Sequence, residues 1–320
     1  MTHILRENLL SPPILAFGIG LLAAASGLRP VAHVQLPTWL SKALSLSLLG
    51  TIGLKGGMAL AESHLRELWL PSVAALTLGC TTPVLAFTAL RRLARLPRED
   101  AAAVSAHYGS VSVVTFTAGL AFVRLAGLPY EGFMPTLLAL LEAPGILVAL
   151  LLARGAGRLS LRQAALDVAS GPSFLALGSG IAVGLAAGPL GGSATPPGFN
   201  TVFLTLLTVF LLEMGVLAGR HLRRARTVGP VLLGFALVAP LVNGGLGVLL
   251  GKAAGLSIAG TMLLGVLGAS ASYIAAPAAV RLALPQVDPA RYLTPVLGVT
   301  FPFNLTIGLP VYLFLARLVH

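Results

Sequence analysis

The sequence predicts an all-α integral membrane protein of ten transmembrane helices, arranged as two inverted five-helix repeats with broken crossing helices 4 and 9. Three observations carry this: an extreme composition, the spacing of the apolar runs, and self-similarity at half the chain length. Of 320 residues, 56% are hydrophobic and only 10% charged, and the mean hydropathy is +0.92. A soluble domain carries about 25% charged residues, and disordered or coiled-coil chains also need more charge than this. The apolar runs are continuous rather than alternating, which argues against an outer-membrane barrel. A spanning helix takes about 20 residues, so with its connections the chain holds roughly ten.

Breaks at charged or Pro/Gly-rich positions delimit the segments as 9–28, 37–60, 69–90, 101–124, 134–153, 172–188, 200–219, 228–250, 258–281 and 293–316. Residues 8–25 follow Arg6 and end in Ala23-Ala24-Ala25-Ser26, in the manner of a cleavable leader. The same segment recurs later in the chain, so it is read as a retained helix.

The recurrence sets the architecture. Ile14-Leu-Ala-Phe-Gly-Ile-Gly20 aligns with Phe174-Leu-Ala-Leu-Gly-Ser-Gly180, and Gly109-Ser-Val-Ser112 with Ala269-Ser-Ala-Ser272, both at an offset of 160. Leu151-Leu-Ala-Arg154 ends one half as Phe314-Leu-Ala-Arg317 ends the other. The expected units are residues 1–154, a short cytoplasmic linker at 155–171, and residues 172–320. Five helices per unit is an odd number, so the second unit enters the membrane from the opposite side. Inverted repeats of this kind build secondary transporters.

The net charge of +11 reports orientation, not nucleic-acid binding, because the basic residues fall in short gaps between apolar runs. Counted from the N-terminus, the odd loops hold 14 Lys and Arg, including the clusters Arg91 to Arg98 and Arg220 to Arg226, against 5 on the other side. Odd loops are therefore cytoplasmic and both termini face outward, in the inner (plasma) membrane. Arg220 to Arg226 also suits an acidic partner or anionic lipid. Cys80 is the only cysteine, and the six histidines form no ligand pair, so a zinc-type centre is not expected.

Spans four and nine occupy the same place in each repeat, and both carry polar, helix-breaking sequence at mid-depth. They read His107-Tyr-Gly-Ser-Val-Ser-Val-Val-Thr-Phe116 and Gly268-Ala-Ser-Ala-Ser-Tyr-Ile-Ala-Ala-Pro277. An unwound segment there leaves free N–H groups and a half-helix N-terminus worth roughly half a positive charge. Two such ends meeting at the midplane, with hydroxyls beside them, make a site for a small anion. A single Ser-x-Ser in a spanning helix more commonly serves packing or back-bonding to a carbonyl. Its repetition at equivalent, central positions favours the binding role. Neither segment has a Lys or Arg beside its serines, so a compact monoanion fits better than a multiply charged substrate.

A coupling cation would supply further charge. Sodium takes oxygen ligands, and the intramembrane candidates are Thr82, Thr115, Thr117, Glu142, Asn243, Thr300 and Asn304. Glu142 leads them, since an intramembrane carboxylate is functional by default. Asp100 is read as a cap for span four. Lys55 and Glu213 fall at nearly equivalent positions but at mirrored depths, so Lys55 is expected to snorkel and Glu213 to need a local partner that the sequence does not name. His107 is read as packing or capping more readily than as a proton relay.

These segments resemble the sodium-dependent bicarbonate transporter family first known from cyanobacteria. The matching stretches are Ala106 to Phe116, Glu142-Ala-Pro144, Leu54-Lys-Gly-Gly57, Ala269 to Pro277 and Leu297-Gly-Val-Thr-Phe-Pro-Phe-Asn304. The resemblance runs through most of the chain. It implies a gate (spans 1, 2, 6 and 7), a mobile core (spans 3–5 and 8–10), a homotrimer in the lipid bilayer, and elevator-like import of bicarbonate driven by Na+. Carried onto matching positions, bicarbonate would be held by Gly109, Ser110, Val111 and Ser112 and by Ala269, Ser270, Ala271, Ser272 and Tyr273, with Na+ close by. Family members carry a longer cytoplasmic linker than this chain, and bind a PII-like cytoplasmic regulator. Two other readings remain open: a Na+-coupled carrier of a small organic carboxylate, and a non-transporting membrane scaffold or receptor for a cytoplasmic regulator. No nucleophile–base pair points to an enzyme.

Overall fold

The computed structural model describes residues 10–26, 37–153, 162, 166, 169–188, 199–225 and 228–320. Most of the linker read at 155–171 lies outside the described residues. Those described are helical throughout, with no strand among them. The first half holds α1 (Pro12–Ala25), α2 (Thr38–Glu62), α3 (Leu65–Arg92), α4 (Arg98–Gly109), α5 (Val113–Leu125), α6 (Met134–Leu141) and α7 (Pro144–Ala153). The second holds α8 (Pro172–Ala187), α9 (Phe199–Arg224), α10 (Pro230–Ala253), α11 (Ile258–Ala269), α12 (Ala275–Ala283) and α13 (Pro289–Val319).

Proline placement explains several starts. Pro12, Pro172, Pro230 and Pro289 occupy the first helical position, where a missing N–H costs nothing and the ring presets φ. Prolines inside α13 act differently. Pro295 and Pro302 cannot donate to the helix ladder, and each is followed by a π-helical turn, Val296–Thr300 and Asn304–Gly308. Such single π turns are the usual accommodation of a disturbed ladder.

Among the described residues, seven helical stretches are long and apolar enough to cross a membrane, Arg98–Leu125 counting as one of them. Three shorter apolar helices, α1, α8 and α11, accompany them. Large apolar side chains such as Leu15, Ile19, Leu22, Val231, Val238 and Val242 stand exposed. In a membrane protein this face meets lipid, whereas in water it would aggregate.

α1 packs along α9, and α2 along α8. Both contacts are backbone on backbone. A Cβ at Gly180 of α8 would strike the Gly50 carbonyl, the Leu54 amide and Gly53 of α2. A Cβ at Gly215 of α9 would likewise strike Phe17 and the Leu21 amide of α1. Small residues let membrane helices approach this closely when no hydrophobic effect drives them together. The remaining helices form a second group, in which α3 packs on α4 and α7, and α10 on α11 and α13.

Two polar side chains have neighbours that the sequence does not name, and one of them departs from its reading as a cap. The N-cap of α4 is Pro97, without a side-chain bond. Asp100 lies inside the first turn and pairs instead with Arg291 at the start of α13. Its negative charge still suits the helix N-terminus. Glu213 of α9 lies near the neutral Ser41 hydroxyl of α2, and its Oε2 has no hydrogen-bond partner among the described residues.

Candidate functional site at two crossed helix breaks

α4 stops at Gly109 because the next residues turn extended, Ser110 at φ −111°, ψ 166° and Ser112 at φ −106°, ψ 113°. α11 stops at Ala269 in the same way, with Ser270 at φ −74°, ψ 161°. Each break then re-enters a helix whose first turn donates to the second serine, with Ser112 at the N-cap of α5 and Ile274 in that position for α12. Ser112 Oγ accepts from Thr115 N at 3.2 Å, and Ser272 Oγ accepts from Ala276 N at 3.2 Å. This is how serine favours N-caps: its hydroxyl satisfies a donor that the first turn leaves free.

The two breaks are joined directly. Ser112 N donates to Ser270 Oγ at 2.9 Å, and Ser272 N donates to the His107 carbonyl at 2.8 Å. Ser270 Oγ in turn donates to Leu267 O, and Ser110 Oγ donates to the Glu142 carbonyl at 2.8 Å. All four serines are at most 3% exposed. Hydroxyls and backbone thus satisfy one another at a depth where water is absent.

Glu142 sits at a third interruption, between α6 and α7. The close approach that places it there depends on glycine. A Cβ at Gly145 would collide with Gly109, and one at Gly109 would press on Pro83 and Gly145. The carboxylate is buried, and its Oε2 has no hydrogen-bond partner among the described residues. It borders a narrow cleft of about 10 Å³, lined also by Val111, Ser112, Val113, Ser272, Tyr273 and Ala275. Val113 and Ala275 are the first residues of α5 and α12, so both half-helix N-termini face this cleft. The Tyr273 hydroxyl approaches Ser112 without reaching ordinary hydrogen-bond geometry, and its ring rests edge-on against Phe301.

The other candidate oxygens are placed differently. Thr115 stands beside Ser112, within the first turn of α5. Thr117 and Thr82 bond back to Val113 O and Leu78 O. Thr300 donates to Ala236 O at 2.6 Å and meets the Tyr108 hydroxyl at 2.7 Å. Asn304 donates to Ala269 O, the last carbonyl of α11, and accepts from Tyr312, which anchors the second break. Asn243 borders an apolar recess between α3 and α10, apart from the cleft. His107 bonds its Nδ1 to Ala103 O and stacks on Tyr292 at 4.5 Å, an arrangement that packs the helix end. Gly109, Ala269 and Ala271 contribute backbone and close packing rather than polar side chains.

Two residues near the cleft escaped the sequence reading. Ser173 reaches it from the first turn of α8, and Gly145 admits the break to α7. Ser173 follows Gly171-Pro172, which signals a helix start and nothing more. Gly145 adjoins Pro144 in a stretch read only as a span.

Comparison with protein families matches residues 12–317 to the Na+-dependent bicarbonate transporter superfamily. The chain belongs to this superfamily. The match covers nearly the whole chain, so it takes in both breaks, Glu142 and the helices that carry them. A search of the curated proteins finds no significant match. Membership together with the long apolar helices makes this a multi-pass membrane protein.

Proposed function

We propose that the chain is a secondary active transporter that imports bicarbonate by Na+ symport, with the anion held where the two breaks meet. The observation that carries this is the Glu142 carboxylate, which faces the same cleft as two half-helix N-termini while one of its oxygens has no partner among the described residues. Helix ends favour an anion by roughly 1–2 kcal/mol each at best. A carboxylate about 4 Å from that anion repels it by about 4 kcal/mol at an effective dielectric near 20. Together the two helix ends, about 2–4 kcal/mol, at best only balance this repulsion and leave no net attraction. A cation between carboxylate and anion removes it, and this makes binding of the two ions interdependent.

Glu142 with the carbonyl ends of α4 and α11 offers the hard oxygen ligands that sodium prefers, and Thr115 stands close by. The anion takes the N-terminal side, from Ser112, Ser272, Tyr273 and the first N–H groups of α5 and α12.

The repeat geometry supports alternating access. A shift of 160 residues carries α4, 98–109, onto α11, 258–269, and the α1–α9 contact onto the α8–α2 contact. Each repeat therefore lends its first helix to the second helix of the other. These four form the gate and the remaining helices the mobile core. With the basic loops cytoplasmic, the wider recess lined by Glu142, Ser170, Gly171, Ser173 and Leu282 opens inward, toward the side of release. A homotrimer and a PII-like regulator remain part of this reading.

The decisive experiment is uptake by purified protein in liposomes. Labelled bicarbonate accumulates under an inward sodium gradient and not under an equal potassium gradient. Equal accumulation in the two, or none in either, overturns the assignment.

A further inference from the structure

The apolar recess between α3 and α10 has a definite length and two unlike ends. It runs on α3 from Leu85 to Leu93 and on α10 from Asn243 back to Val231, and holds about 280 Å³. Asn243 is the one polar residue among those that line it. Leu93, Val231 and Val238 are each more than half exposed, so the recess opens on the face that meets lipid. The two stretches rise about 12 and 18 Å, which brackets the depth of one leaflet, half of a hydrocarbon core about 30 Å thick. Spread over that depth, the volume admits a single hydrocarbon chain and excludes a helix, which is about 10 Å across.

The end at Leu93 and Val231 is basic. Leu93 and Ala94 line it there, between Arg92 and Arg95, both exposed. Arg91 and Arg98 turn to the backbone carbonyls of Leu96 and Leu152. Against these four arginines the adjoining chain sets two acids, Glu99 and Asp100, and Asp100 is already paired with Arg291. α10 starts at this same end, so its positive N-terminus adds to the potential. Its N-cap, Gly229, has no side chain to take up the first-turn N–H groups, which also lack acceptors within the helix. The opposite end, at Leu85 and Asn243, has no charged residue in its lining. A phosphate headgroup matches the basic end and an acyl chain the rest, as basic positions beside apolar spans attract anionic lipid.

We propose that the α3–α10 recess binds one anionic phospholipid, with an acyl chain along the two helices and the phosphate at Arg92, Arg95 and the N-terminus of α10. The chain gives the site its depth and the arginines give it a preference for negative headgroups. Because α3 comes from the first repeat and α10 from the second, the bound lipid joins one repeat to the other at a place away from the breaks.

The test uses full-length protein in bilayers of equal parts phosphatidylcholine and phosphatidylglycerol, released into detergent, with the retained lipids counted by native mass spectrometry. Wild type retains phosphatidylglycerol in at least fivefold excess over phosphatidylcholine. G234L fills the recess from a position where an added Cβ meets no atom within 4 Å, and it loses the retained lipid. The double variant R92Q/R95Q keeps a lipid and loses the fivefold preference, while R92K/R95K, which keeps the charge, preserves it. R281Q removes an exposed charge outside the recess and changes neither quantity. Circular dichroism checks the helicity of each variant, and V238F, which narrows the same groove, replaces G234L if that variant fails to fold. No preference in wild type, an unchanged lipid count in the filled variant, or an equal loss in R281Q overturns the proposal. Displacement of the lipid by free glycerol phosphate, a headgroup without a chain, also overturns it. So does a change of oligomeric mass in G234L with the lipid count unaltered, which makes the recess a contact between copies. The measurement involves no transport, so its outcome is independent of the symport reading.

Discussion

The break at Ser110–Ser112 leans on another interruption, whereas the break at Ser270–Ser272 leans on a continuous helix. Ser110 donates to the carbonyl of Glu142, at the gap between α6 and α7. In the second half, Asn304 of α13 reaches the last carbonyl of α11 and is itself fixed by Tyr312. The 160-residue shift that superposes the two Ser-x-Ser segments places Pro302 opposite Glu142. The backbone device is therefore duplicated, while the carboxylate is present on one side only. In the proposed site, duplication supplies two helix N-termini for the anion, and the asymmetry one place for the cation.

The largest expected effect comes from filling the shared part. S112L and S270L each place a bulky chain where the breaks join, and both should reduce sodium-driven bicarbonate uptake to the liposome background with the protein still folded by size exclusion. Full uptake by either variant would remove the crossing from the transport path. Next comes the asymmetric part. E142Q should raise the sodium concentration for half-maximal uptake by tenfold or more. If Glu142 carried a proton instead of facing a cation, the glutamine would be silent, and the sodium curve decides between the two.

The scaffold of the second break is a smaller matter. N304A removes a buried hydrogen bond to Ala269 O and leaves the Tyr312 hydroxyl with Pro240 O as acceptor. The cost is about 1–3 kcal/mol, visible as a lowered unfolding temperature, with uptake diminished but still sodium-dependent. The smallest effect belongs to R291A. Its pair with Asp100 joins α13 to α4 but is half exposed on the arginine side. The expected loss is under about 1 kcal/mol, and transport should be unchanged.

Much of the frame is legible in the sequence because apolar run length and the 160-residue offset are local, additive signals. Helix bounds fall within about five residues of the segments read from composition. The breaks are legible for a related reason: two serines and a glycine in an apolar run are unusual, and their repetition is more so. The pairing of the breaks is not legible. That Ser112 N finds Ser270 Oγ depends on how two helices cross, which no periodicity encodes. The same applies to Asn304, legible as a polar group in a span, whose partner was not. Glu213 lies near Ser41 on a neighbouring helix, a residue that reads only as part of a small-residue face. The π turns of α13 follow from Pro295 and Pro302, yet proline alone does not say whether a helix kinks, stops or widens.

The two bonds that join the breaks have a mechanical meaning. Parting them would leave the N–H groups of Ser112 and Ser272 without acceptors in a dry interior, at several kcal/mol apiece. Sliding the joined pair past its neighbours breaks neither bond. The crossing therefore behaves as a rivet, so that strain applied to either half-helix is passed to the other and the geometry between the two breaks is kept.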